Sequence, residues 1–219
     1  MSKTKLLVFD VDGVLCKEDE LQMRRLAAQH AYLAEKLGVS IEQAKNAYEA
    51  ARLMLPKRYQ NTSVKVFEAA GGTRQGYMDI LNSINHEGAI EPNDNCLSTL
   101  EELSKDNRIV TLSNAPRMFS LKTLEMLGVM QHVGGVYAAD DFAESKPSVN
   151  NLRIVLRKEG FLPQDSYFIG NSSRKDIAPA NEAGMITILY KPNGIYRGSI
   201  KPAHIIRDLA EIVGIVRGR

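Results

Sequence analysis

The stretch LLVFDVDGVL at residues 6–15 decides the fold of this 219-residue chain. Its first four residues are apolar, which is typical of a strand that is buried on both faces in a parallel sheet. Asp10 and Asp12 then follow at a spacing that directs both carboxylates to the same side of an extended backbone. The carboxyl ends of parallel strands form the ligand crevice of open α/β sheets. Because neighbouring acids repel each other and are usually compensated by a cation, the stretch predicts a site rather than an ordinary Asp-Gly turn.

The composition is that of an ordinary globular protein, with 44% hydrophobic and 25% charged residues. The net charge is +2, from 28 basic and 26 acidic residues, so no field of one sign indicates a nucleic acid or a membrane surface as partner. Cys16 and Cys96 are too few for a disulfide framework and lack metal-ligand spacing. No apolar run reaches the roughly 18 residues that cross a bilayer. We expect a cytoplasmic protein that is a monomer or a homodimer.

The apolar pattern divides the chain into two parts. Residues 17–91 carry helical periodicity without a convincing strand, and they include a Ser-x-x-Gln capping box that starts at Ser40. Further strands are predicted at 108–112, 133–137, 167–169, 185–189 and 203–206. Helices are predicted from Pro92 through Leu103, over about 149–159 and over about 175–183. Strands that alternate with helices imply a parallel sheet with right-handed crossovers. The predicted fold is α/β, a doubly wound parallel sheet of residues 1–16 and 92–219 with a small α-helical domain at 17–91.

Polar residues follow the ends of the predicted strands beyond the first. They are Ser113 and Asn114 after the second strand, Asp140, Asp141, Glu144 and Lys146 after the third, and GNSSRKD at 170–176 after the fourth. Taken alone, each group has an ordinary explanation: a helix cap, a solvated turn, a loop lysine, or an acid in the first turn of a helix. Their recurrence at successive strand ends favours one shared site. It would offer a carboxylate nucleophile, a cation site and donors for phosphoryl oxygens.

The order of these motifs resembles the haloacid dehalogenase superfamily of phosphohydrolases. Four motifs lie in the order of that family: FDVDGVL at 9–15, TLSN at 111–114, SKP at 145–147 and GNSSRKDI at 170–177, with a trailing helix at 180–185. The resemblance spans nearly the whole chain. The insert at 17–91 looks like the small helical cap of the subfamily that contains phosphoglycolate phosphatases, β-phosphoglucomutases and 2-haloacid dehalogenases.

The resemblance implies catalytic roles for Asp10, Asp12 and Lys146 and substrate-binding roles for Ser113, Asn114 and Lys146. Asp10 would attack phosphorus and form an aspartyl-phosphate, and Asp12 would protonate the leaving oxygen and then activate water. Ser113 and the backbone amide of Asn114 would hold a phosphoryl oxygen of the substrate. Lys146 would orient the nucleophile and offset charge.

The resemblance also implies a magnesium site. Mg²⁺ would be held by Asp10, the carbonyl oxygen of Asp12 and the fourth motif, through Asn171 and Asp176. The family usually has an acid where this chain has Asn171. A catalytically impaired binding or regulatory protein of the same fold is therefore one alternative.

Asp12 separates the reaction classes of the superfamily. Its dehalogenases lack this second acid, because halide leaves without a proton, so Asp12 favours transfer of a phosphoryl group from an oxygen leaving group. A phosphomutase of the β-phosphoglucomutase type would use the same intermediate and would exclude water better. We expect Mg²⁺-dependent hydrolysis of a small phosphorylated metabolite, with the mutase as a second alternative. Candidates for substrate contact in the cap are Lys57, Arg58, Tyr59 and Arg74.

Overall fold

The computed structural model describes residues 4–17, 19–57, 59–146 and 148–218. Arg58 and Pro147, two residues of the sequence-based hypothesis, lie outside these ranges. The chain divides into two compact units, Met1–Lys17 with Ile90–Arg219 and Glu18–Ala89. The predicted domain boundaries, after residues 16 and 91, differ from this division by one and two residues. Among the described helices, none combines the length and the apolar character that a membrane crossing requires.

A six-stranded sheet forms the centre of the first unit. Its strands are β1 Leu6–Phe9, β2 Arg108–Leu112, β3 Gly135–Tyr137, β4 Ser166–Gly170, β5 Ile186–Tyr190 and β6 His204–Ile206. Neighbouring strands are parallel and lie in the order β3-β2-β1-β4-β5-β6. The prediction of a doubly wound parallel sheet is confirmed. Because β1 lies between β2 and β4, the chain winds outward from β1 in both directions.

The second unit is helical in the part that the structure describes. Its helices are α1 Asp19–Leu37, α2 Ile41–Met54, α3 Ser63–Ala69 and α4 Arg74–Ser83. The predicted capping box begins α2: the hydroxyl of Ser40 accepts from the amide of Gln43, and the Gln43 side chain accepts from the amide of Ser40. Leu33 and Phe67 are fully buried, so this unit has apolar packing of its own.

Helices cover both faces of the sheet in the first unit. They are α5 Cys96–Ser104, α6 Arg117–Met126, α7 Val149–Glu159, α8 Ala178–Glu182 and α9 Glu211–Arg217. Successive side chains of a strand point to opposite faces. Leu7 and Phe9 of β1 therefore pack in one core with α5, α6 and α9, and Leu6 and Val8 pack in the other with α7 and α8.

Two predicted helices begin differently in the structure. The helix expected from Pro92 begins at Cys96, and Pro92 instead pairs with Cys16 in an isolated β-bridge. The helix expected over 175–183 begins as a π-helical turn, Ser173–Ile177, and continues as α8. In both places hydrogen bonds of the polar segment, rather than apolar periodicity, decide where the regular helix begins.

A solvated turn, the ordinary explanation of Asp140 and Asp141 taken alone, does not hold for Asp141. Both carboxylate oxygens of Asp141 accept from Nη2 of Arg117 at 2.6 Å. Asp140 is exposed, but its Oδ2 accepts from the backbone amide of Arg117, the first residue of α6. The two acids therefore fix the start of α6 against the segment that follows β3.

Replacing Leu100 with Ala is expected to lower the free energy of unfolding by about 2–5 kcal/mol, because Leu100 is fully buried in α5 and its removal leaves a cavity. Leu97 lies on the same helix and is 46% exposed, so Leu97→Ala is the matched control, with an expected loss below about 1 kcal/mol. Denaturant unfolding followed by circular dichroism measures both values. Equal losses at the two positions would contradict the buried face assigned to α5.

Candidate active site

The ends of the three central strands bring the predicted polar residues together. β1 pairs with β2 on one side and with β4 on the other, so the residues that follow these strands are neighbours. Asp10 follows β1 directly, and its amide donates to the carbonyl of Ile169 in β4 at 2.9 Å. Ser113 follows β2, and its amide donates to the carbonyl of Tyr137 in β3 at 3.0 Å. The backbone of each residue is thus anchored to an adjacent strand.

Lys146 is the centre of a buried ion cluster. Its Nζ lies 2.7 Å from Oδ1 of Asp10 and 3.1 Å from Oδ1 of Asp176. It also donates to the carbonyl of Leu112 at 3.1 Å. Only 5% of Lys146, 7% of Asp10 and none of Asp176 is exposed. Buried charges are tolerated when they are paired and hydrogen-bonded, so three residues from three separate motifs form one unit. Lys146 is not a solvated loop lysine.

The charges of this cluster shift the acidity of its members. Burial raises the pKa of the Asp10 carboxyl to about 7; Lys146 opposes this rise, and the negative charges of Asp176 and Asp12 add to it. Burial alone would lower the pKa of Lys146, but Asp10 and Asp176 raise it above its usual value, so the lysine is charged. A further cation beside Asp10 would favour its ionised form.

Asp12 stands beside Asp10 in a more open environment. The backbone turns after Val11, whose amide donates to Oδ1 of Asp10 at 2.9 Å and whose carbonyl accepts from the amide of Leu15 at 2.9 Å. Gly13 has a φ of 73°, which favours glycine in this tight turn. Asp12 is partly exposed, whereas Asp10 is buried. Two nearby carboxylates in different environments can divide the roles of nucleophile and proton donor.

The turn after β2 is tied to the segment that carries Lys146. Nδ2 of Asn114 donates to the carbonyl of Lys146 at 3.2 Å, and its Oδ1 accepts from the amide of Lys146 at 2.6 Å. The hydroxyl of Ser113 accepts from the amide of Ala115 at 3.0 Å. Neither residue is the cap of α6, which begins after Pro116 with no side-chain cap bond from that residue.

A π-helical turn after β4 places Asp176. Its Oδ2 accepts from the amide of Ser172 at 3.0 Å. Gly170 leaves room for it, because a Cβ on Gly170 would lie 2.4 Å from Cβ of Asp176. Nδ2 of Asn171 lies 3.3 Å from the carbonyl oxygen of Asp12, so the fourth motif meets the first at this point. An acid that only stabilises the first turn of a helix can remain exposed, so this ordinary explanation does not account for the complete burial of Asp176.

Oxygen donors beside the ion cluster fit the predicted magnesium ion. They are the carboxylate of Asp10, the carbonyl of Asp12 and the side-chain amide oxygen of Asn171, and Lys146 joins Asp176 to Asp10. Mg²⁺ prefers such hard oxygen ligands and keeps several waters. In the ranges that the structure describes, no group of three or more His, Cys, Asp and Glu side chains could hold a metal ion. The fit therefore depends on an amide and a backbone carbonyl as well as on carboxylates.

The contributions of two residues, Gly170 and Arg117, were not predicted from the sequence, although Gly170 lies in a quoted motif. Gly170 admits Asp176, and the only signal for it is a glycine at the end of a strand. Arg117 binds Asp140 and Asp141, and no local pattern links an arginine to acids more than twenty residues away. Both depend on contacts between distant segments.

Comparisons with known proteins agree with the motifs. The sequence profile of the family described as haloacid dehalogenase-like hydrolase matches residues 7–190. The chain is 26% identical over 194 residues to a glyceraldehyde 3-phosphate phosphatase of Methanothermobacter thermautotrophicus, with 84% of each chain covered. A protein of the same description from Methanocaldococcus jannaschii is 22% identical over 226 residues, with 97% of each covered. A HAD phosphatase structure from Thermococcus onnurineus has a TM-score of 0.76 at 23% identity and 99% coverage of both chains. The chain belongs to the haloacid dehalogenase-like hydrolase family, which confirms the resemblance seen in its motifs.

Replacing Gly170 with Ala is expected to lower the free energy of unfolding by about 1–3 kcal/mol, because the new methyl group must displace the Asp176 side chain or its backbone. Denaturant unfolding of the two proteins measures the difference. Unchanged stability would contradict the close packing of Asp176 against Gly170.

Proposed function

We propose that this chain is a Mg²⁺-dependent phosphatase that hydrolyses a small phosphorylated metabolite through an aspartyl-phosphate on Asp10. The observation that carries the proposal is the buried contact of Lys146 with Asp10 at 2.7 Å, with the partly exposed Asp12 two residues further along. Two relatives that align over most of the chain are described as glyceraldehyde 3-phosphate phosphatases. This similarity supports a phosphorylated three-carbon compound as the first substrate to test. A cytoplasmic location and a monomer or homodimer belong to the same proposal.

Asp10 is the nucleophile. A carboxylate oxygen attacks phosphorus, the bond between phosphorus and the ester oxygen breaks, and the phosphoryl group is transferred to Asp10. Lys146 and the amide of Val11 both contact Oδ1 of Asp10, so we assign Oδ2 as the attacking atom. The lysine fixes the carboxylate in one orientation, and its positive charge favours the ionised form.

Asp12 moves the protons. It donates a proton to the oxygen of the leaving alcohol, and the resulting carboxylate then accepts a proton from the water that attacks the aspartyl-phosphate. Release of phosphate regenerates Asp10 as a carboxylate and Asp12 as an acid. The hydroxyl of Ser113 and the backbone amide of Asn114 donate to the oxygens of the transferring group.

Four groups are proposed as magnesium ligands: Asp10, the carbonyl of Asp12, Asn171 and Asp176. When bound, Mg²⁺ offsets negative charge on the phosphoryl group. Asn171 contributes an oxygen without formal charge, so the site holds the ion with fewer negative charges than an all-carboxylate site would.

The helical unit Glu18–Ala89 is proposed to act as a cap that selects the leaving group. Lys57, Tyr59 and Arg74 are the candidates for contact with the substrate in this unit. Arg58, the fourth candidate, lies outside the described residues.

Phosphate release from a panel of small esters, headed by glyceraldehyde 3-phosphate, is expected with Mg²⁺ and not with chelator. Asp10→Asn should lower kcat by roughly 10⁴-fold or more, because it removes the nucleophile. Asp94→Asn makes the same change of charge at an exposed position and should keep kcat within about twofold of wild type. If wild type matched Asp10→Asn on every ester, the hydrolase proposal would fail.

Replacing Asn171 with Asp is expected to tighten Mg²⁺ binding by roughly tenfold, because it adds a negative charge to an oxygen ligand. Calorimetric titration of the metal-free protein measures the dissociation constant without reference to turnover. Asn150 is exposed on the first turn of α7, so Asn150→Asp adds the same charge outside the site and should leave the constant unchanged. Equal affinities for wild type and Asn171→Asp would argue against Asn171 as a ligand.

A further inference from the structure

The side chain of Asn114 makes a two-way bridge to the backbone of a single residue, Lys146. The bridge consists of one bond accepted from the Lys146 amide at 2.6 Å and one bond donated to the Lys146 carbonyl at 3.2 Å. A primary amide carries a donor and an acceptor in one plane, which a hydroxyl or a carboxylate does not reproduce at this geometry. Both ends of the Asn114 amide are therefore committed to the lysine.

Strand β2 and the turn after it bind both the backbone and the side-chain ammonium group of Lys146. Asn114 fixes the backbone of the lysine, and the carbonyl of Leu112, two residues earlier, accepts from its Nζ at 3.1 Å. The same Nζ lies within 3.1 Å of carboxylate oxygens of Asp10 and Asp176. Segment 112–114 thus fixes the position of the Lys146 backbone and the position of its ammonium group.

Other contacts hold the same two segments together further from the site. The amide of Ala139 donates to the carbonyl of Ala115 at 2.9 Å, and Arg117 binds Asp141 through both carboxylate oxygens. Loss of the Asn114 amide should therefore leave the two segments joined. The main effect of that loss would be a shift in the backbone position of Lys146 and hence in its side chain.

We propose that Asn114 is a positioning residue for the reaction: its side chain sets the place of Lys146 and, through it, the orientation of the Asp10 carboxylate. This inference rests on the proposed function and goes beyond the role assigned to the backbone amide of Asn114. Asn114→Ala keeps that backbone amide and removes only the bridge. With the best ester of the panel, kcat is expected to fall about 10–100-fold and KM to change by less than about threefold, because the nucleophile is misaligned while the phosphate donors remain.

The matched control is Asn107, at the opposite end of β2. Its Oδ1 accepts from the amide of Lys5 at 3.2 Å, and its Nδ2 donates to the carbonyl of Leu103 at 3.0 Å, so it also bridges backbone groups. Asn107→Ala should lower the melting temperature and leave kcat within about twofold of wild type. If Asn107→Ala lowered kcat as much as Asn114→Ala, the effect would be general destabilisation and the proposal would be overturned.

Chemical labelling separates this proposal from the phosphatase proposal. Acetic anhydride modifies accessible lysines, and mass spectrometry measures the rate at Lys146 with no need for turnover. Asn114→Ala should label Lys146 at least about fivefold faster than wild type, and Asn107→Ala should not. If no ester is hydrolysed by wild type, the phosphatase proposal fails and the labelling rates alone decide the role of Asn114. Unchanged labelling of Lys146 in Asn114→Ala overturns the positioning role, whatever kcat does.

Discussion

The burial of one ammonium group is the constraint on which this site depends. Lys146 can remain inside the protein only if negative and polar partners surround it, and those partners come from segments that are far apart in the chain. The central position of β1 makes this possible, since β2 and β4 flank it directly. β1 supplies Asp10, β2 supplies a carbonyl, and the turn after β4 supplies Asp176. The order of the strands therefore places the members of the ion cluster side by side.

The fold could be predicted because its signals are local. A strand of apolar residues only, such as Leu6–Phe9, has to be buried on both faces, and this implies helices on both sides of a parallel sheet. Helix α7 was predicted over about 149–159 because Gly160 marks its end, and the structure shows these bounds. In the structure the Ser148 side chain caps its start, and Gly160 ends it with a φ of 73°. The family followed from short motifs at successive strand ends. All of these features can be recognised from residues close together in the sequence.

The internal connections of the site could not be predicted, because each joins residues that are distant in sequence. Asn114 and Lys146 are 32 residues apart, and Arg117 and Asp141 are 24 apart. Each of these residues also has a sufficient local explanation, such as a cap, a turn or a solvated charge, and the local explanation is the commoner one. Asp176 shows the same difficulty, because its burial depends on the missing side chain of Gly170. The roles of the site residues in turnover stay predictions.

Because β2 and the turn after it bind both the backbone and the ammonium group of Lys146, insertions and deletions have different effects in different parts of this fold. The spacing between the turn that carries Ser113 and the lysine ammonium is measured along a strand, at about 3.3 Å per residue, and not along the polypeptide that connects them. Strand β3 and residues 139–141 bind residues 113–117 and are therefore fixed in place. Loops of the intervening chain that make no such contact can gain or lose residues without altering that spacing. Insertions in those loops should not affect the chemistry. A single residue added between Leu112 and Asn114 would change the distance between the Lys146 ammonium group and the turn that carries Ser113. Segment 112–114 sets the distance between the ammonium group and the turn, and only the loops outside these contacts can vary in length.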